Sequence, residues 1–84
     1  MTTVIMEYAH EAPVTDDALT KFVELLRTCL EVREIVWQRA YLSLDRATLI
    51  CIYEARDASL VQRVHGMLGV PFARCHAMTI VPVD

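Results

Sequence analysis

The sequence predicts an α+β sandwich whose elements run βαββαβ. Three observations carry that prediction. Two stretches with helical spacing of apolar residues each follow a stretch of strand-like alternation. Between them lie two strand-like runs, joined by Asp45-Arg46-Ala47 with no room for a helix. The second helical stretch opens on a capping Asp57 and stops at Gly69 and Pro71, which leaves a final apolar run as a fourth strand.

Val4 to His10 alternates as a strand, with Val4, Met6 and Tyr8 on one face and Ile5, Glu7 and Ala9 on the other. Glu11 to Thr15 is a loop. Thr15 or Asp16 caps the next helix, and Asp16 and Asp17 suit its positive end. Leu19, Phe22, Val23, Leu26 and Leu30 recur at helical spacing and form its buried stripe, and the helix is expected to end near Glu31. Glu34 to Leu44 reads as the second strand, with Trp37, Arg39, Tyr41 and Ser43 sharing a face. The turn that follows lacks glycine and is not of the tight Asn-Gly kind. Thr48 to Ala55 is apolar on both faces, as expected of a central strand covered on both sides. Ile50 and Ile52 are assigned to the helices, which leaves Cys51 and Tyr53 on the open face. The second helix buries Leu60, Val61, Val64 and Leu68, and Arg74 to Val83 is the last strand.

This order is the split-βαβ, or ferredoxin-like, arrangement: a four-stranded antiparallel sheet with two helices on one face. The chain of 84 residues is read as one domain, 1–84. It is 55% hydrophobic and only 23% charged, rich in apolar residues for so small a globule. An apolar open face asks for a cover, and a second copy is the commonest one. The expected assembly is a homodimer closed as a dimeric α+β barrel around a cavity. The residues expected to line that cavity as a ligand site are Glu7, Trp37, Arg39, Tyr41, Cys51 and Tyr53.

Composition narrows the function classes. The net charge is −3 and Lys21 is the only lysine, so the positive stripe that nucleic acid requires is absent. No apolar run approaches the length of a membrane span, and the N-terminus does not read as a secretion signal. Cys29, Cys51 and Cys75 are odd in number and widely spaced. That pattern fits free thiols in a reducing compartment, so a cytoplasmic location is expected.

Several short motifs together resemble a known family. Tyr41-Leu-Ser-Leu-Asp45 follows Trp37 by four residues; Cys51-Ile-Tyr-Glu-Ala55 precedes Asp57; Gly69-Val-Pro71 ends the second helix; Glu7 lies in the first strand. This combination is similar to the small single-domain nickel-binding proteins of bacteria. Ala40, Arg56 and Tyr8 stand where that pattern has Ser, Pro and a basic residue. The resemblance implies a ferredoxin-like fold, a homodimer and a divalent-metal site, with nickel as the expected ion. His76, His10 and His65, with Glu7 and Cys75, are the available donors for such an ion. No local His-x-His or Cys-x-x-Cys spacing joins them, so a site would form across strands or across a dimer. The alternative is a cofactor-independent enzyme, of cyclase, isomerase or monooxygenase type, acting on an apolar metabolite in the cavity. There Glu7 would be acid or base, with Tyr41 and Tyr53 as proton donors. The plainer reading pairs Glu7 with Arg39 as a structural ion pair.

Overall fold

In a computed structural model describing residues 1–84, the elements follow the predicted order. They are β1 (Thr2–Ala9), α1 (Asp16–Glu31), β2 (Val36–Leu42), β3 (Thr48–Ala55), α2 (Ala58–Leu68) and β4 (Arg74–Met78). The strands form one sheet in the order β2-β3-β1-β4, and every neighbouring pair is antiparallel.

Local chemistry accounts for the boundaries. The Thr15 side chain accepts from the Ala18 N–H at 3.1 Å and caps α1. That helix has no glycine at its exit, and Glu34 takes up the left-handed conformation there instead (φ 59°). Asp57 caps α2 by accepting from the Leu60 N–H at 2.8 Å. The bond and the neighbouring Ser59 hydroxyl favour the ionised form and hold the Asp57 carboxyl below the usual range. Gly69 closes α2 in the left-handed region (φ 67°), where a side chain would be strained.

The hairpin turn shows how a positive φ is held without glycine. Arg46 has φ 63°. Its Nε donates to the Val14 carbonyl at 2.7 Å, and its guanidinium reaches Asp16 at 2.6 Å. The Val14 N–H returns a bond to the Arg46 carbonyl at 2.7 Å. The β2–β3 turn is thereby bound to the loop between β1 and α1. Asp45 accepts from Ser43 and from the Ala47 N–H, which lowers its carboxyl proton affinity.

Both helices lie on one face of the sheet. The core between them and the strands contains Val4, Met6 and Tyr8 of β1 and Leu49, Cys51, Tyr53 and Ala55 of β3. Leu26 and Leu30 of α1 and Val61 and Val64 of α2 close it. The opposite face carries no element of this chain. The molecule measures 35 × 33 × 17 Å, the thin dimension being one sheet layer and one helix layer.

The facing of β3 and of β2 differs from the expected one. Cys51 and Tyr53 lie under the helices, fully buried, and Ile50 and Ile52 lie on the open face. The covered face of β3 alternates the large Leu49 and Tyr53 with the small Cys51 and Ala55, which makes room for the helices. In β2 the register slips between Trp37 and Arg39. Trp37 stands opposite Tyr53, whereas Arg39 and Tyr41 stand opposite Ile52 and Ile50. A bulge at Gln38 therefore divides residues that simple alternation put on one face. The last strand also stops short of the expected Val83, at Met78, which pairs with Thr3 close to the start of β1.

Candidate functional site

The open face is built from three cross-strand rows. Tyr41, Ile50, Glu7 and Arg74 form one row; Arg39, Ile52, Ile5 and His76 form the next. Val36, Glu54, Thr3 and Met78 form the third. Ile50, Ile52 and Ile5 cluster with Glu7 on the two central strands. Tyr41, Arg39, Arg74 and His76 end the first two rows on the edge strands, and the third row has Glu54 and Thr3 at its centre. Within the third row the Thr3 hydroxyl donates to the Glu54 carboxylate.

Glu7 is the focus of the polar groups. Its carboxylate lies 3.6 Å from His76 Nε2 and 3.9 Å from Arg74 Nε, and its side chain is 31% accessible. The expected pairing of Glu7 with Arg39 is not made. Arg39 belongs to β2, two strands away, and its guanidinium donates to the Tyr41 hydroxyl at 3.4 Å. That contact raises the proton affinity of Arg39.

The three histidines are dispersed. His76 is on the open face beside Glu7. His10 follows β1, is exposed, and has its N–H bonded to the Ala47 carbonyl at 2.8 Å. His65 is completely buried under α2 with both ring nitrogens engaged, so it has no free lone pair for a metal. No group of three or more His, Cys, Asp or Glu side chains converges in the chain. Glu7 and His76 supply an oxygen and a nitrogen donor, a chemistry that suits nickel or zinc, but they supply only two.

The residues named for catalysis are likewise separated. Tyr53 is on the covered side, away from Glu7 and Tyr41, and Ile50 of β3 stands between Glu7 and Tyr41. Trp37 packs inward against Phe22 and Tyr53, with ring centroids 6.0 and 5.4 Å away. Burial pushes the Cys51 thiol up to about 11, which keeps it protonated and unreactive.

The covered side holds a feature that alternation alone did not reveal, a buried polar chain through Tyr53, Tyr8 and His65. The two hydroxyls are 2.8 Å apart, and the Tyr8 hydroxyl is 2.6 Å from His65 Nε2. His65 Nδ1 is 2.8 Å from the Val61 carbonyl. A carbonyl can only accept, so Nδ1 carries the ring proton and Nε2 accepts from Tyr8. The Tyr8 oxygen then accepts from Tyr53. Burial raises the proton affinity of both tyrosines and keeps them neutral. The sequence did contain a signal: His65 follows Val64 and stands four residues after Val61, on the buried stripe of its helix.

No helix is long and apolar enough to cross a membrane. Comparison with curated proteins finds no match. The fold is similar to the crystal structure of SCO4226 from Streptomyces coelicolor A3(2), with a TM-score of 0.82 at 19% identity. The alignment covers 95% of this chain and 99% of that one. The sequence matches the family described as nickel responsive protein, SCO4226-like, over residues 5–78. That match runs from within β1 to the end of β4, and the chain belongs to the nickel-responsive SCO4226-like family.

Proposed function

We propose that this chain is a small divalent-metal-binding protein, with nickel the leading ion, that works as a homodimer joined through its open sheet face. The observation that carries the reading is the Glu7–His76 pair, 3.6 Å apart beside Ile5 and Ile50 on the open face. The family's description as nickel responsive agrees with it.

Two donors from one chain are too few for the four to six that such ions take. A second copy facing the first would bring two more, and water would complete the set. It would also cover Ile5, Ile50 and Ile52, together with Val36 and Tyr41, which are 55% and 51% exposed in the single chain. Arg74, 3.9 Å from Glu7, would compensate the carboxylate when no ion is bound.

The test is titration calorimetry of tag-free protein with nickel chloride and with zinc chloride, alongside light scattering on a sizing column. Stoichiometric nickel binding by a dimer is expected. Glu7→Gln and His76→Ala should each weaken nickel binding by at least about tenfold, since even outer-shell changes cost that much. A monomer, a chain without nickel affinity, or variants that bind as well as the parent would overturn the assignment.

A further inference from the structure

We propose that the buried Tyr53–Tyr8–His65 chain is an acid-sensitive latch, in which protonation of His65 releases α2 from the sheet. The neutral arrangement satisfies every member in one direction only. Tyr53 donates to Tyr8, Tyr8 donates to His65 Nε2, and His65 Nδ1–H donates to the Val61 carbonyl. A proton on Nε2 turns an acceptor into a donor aimed at the Tyr8 oxygen. Tyr8 must then swing its hydrogen toward Tyr53, and Tyr53 must turn its own hydrogen away. Besides the Tyr8 oxygen, the Tyr53 hydroxyl has beside it only the Cys51 sulfur, a weak acceptor. The reversed chain thus exchanges a strong buried hydrogen bond for a weak one to sulfur.

The new charge also lacks a counterion. Tyr8 faces the ring from β1, Tyr53 from β3, Phe22 approaches Tyr8 from α1, and Phe72 covers the ring from the loop after α2. The titratable neighbours of that cluster are the Cys51 thiol and, from β4, Cys75. No Asp, Glu, Lys or Arg side chain joins this set. The negative end of α2 favours a cation in its last turn, but burial outweighs it. Burial holds His65 below the ordinary histidine value, and the Val61 carbonyl pulls weakly the other way.

The unfolded chain binds a proton at His65 near pH ~6.5, and the folded chain binds it only at lower pH. The latch is fully closed above that value and weakens as pH falls below it, toward the folded value. Its release acts where α2 ends. The His65 carbonyl accepts from the Val70 N–H at 2.9 Å in the cap that terminates the helix. Moving His65 therefore disturbs the Gly69–Pro71 exit as well as the helix face.

The experiment is nitrogen NMR of the His65 ring in the full chain, with amide exchange followed from pH 7.5 to pH 5. At pH 7.5 the ring should be neutral with its proton on Nδ1. Below pH ~6.5, protection factors in α2 should fall by up to about tenfold per pH unit, ahead of those in the β1–β3 ladder. His65→Gln keeps a neutral acceptor for Tyr8 and should lose this dependence. A ring that titrates at the ordinary value with α2 protection unchanged would overturn the latch, as would a folded His65→Gln chain that keeps the parent's pH dependence. If that variant does not fold, the ring titration and the exchange pattern of the parent still decide.

Discussion

The two faces of this sheet are made by alternate residues of the same strands, yet they solve opposite problems. Tyr8 and Glu7 are neighbours in β1. Tyr8 points into a dry core where its hydroxyl has two fixed partners; Glu7 points to the open side, where its partners are 3.6 and 3.9 Å away and half in water. The covered face admits polar groups only as a closed chain of neutral hydrogen bonds. The open face sets Glu7 beside three isoleucines on the central strands, with Arg39, Arg74 and His76 on the edge strands around it. Alternate residues of β1 and β3 thus divide the buried core from the exposed polar groups.

The largest expected effect breaks the covered side. Leu26→Ala removes a fully buried side chain from the α1 stripe and should cost about 2–5 kcal/mol in urea unfolding. Ile52→Ala on the open face removes the same bulk from a half-buried site and should cost about 1 kcal/mol in a dilute single chain. If a second copy covers that face, the cost of Ile52→Ala grows with protein concentration and that of Leu26→Ala does not. Equal and concentration-independent losses at both sites would count against any distinction between the faces.

Next in size is the polar chain itself. Tyr8→Phe keeps the ring in place but leaves His65 Nε2 and the Tyr53 hydroxyl without their shared partner. A loss of about 1–3 kcal/mol at pH 7.5 is expected from unfolding curves. A neutral outcome would mean that the cavity admits water to replace the hydroxyl.

The sequence announced the fold through local signals strong enough to survive any packing. Asp57 and Gly69 bracket α2, and Thr48–Ala55 is bounded as read. It did not announce the site, for reasons that lie in packing. Facing of β3 turned on whether the helices come close enough to prefer Cys51 and Ala55 over Ile50 and Ile52, a tertiary fact. The bulge at Gln38 carries no glycine to mark it, and it moved Trp37 away from Arg39 and Tyr41. His65 read as a free donor because its two partners, Tyr8 and the Val61 carbonyl, come from a remote strand and from its own helix. Glu7 was singled out as a polar residue that could face the open side, and its neighbours on β4 depended on strand order. Once β4 flanks β1, Arg74 and His76 follow from the register.

The smallest effect tests the comparison most closely, because it repeats one chemical change on the other face. Tyr41→Phe removes the hydroxyl that accepts from Arg39 at 3.4 Å, between two exposed side chains. Water replaces both halves of that bond, so the loss should stay within about 0.5 kcal/mol in unfolding curves at low protein concentration. The same oxygen removed at Tyr8 has no water to stand in for it. A ratio between the two losses well above one measures what covering a face does to a single hydroxyl. If Tyr41→Phe costs as much as Tyr8→Phe in a dilute sample, the open face is not open in solution. Repeating the pair at rising concentration then separates a face closed by a second copy from one that is closed within the single chain.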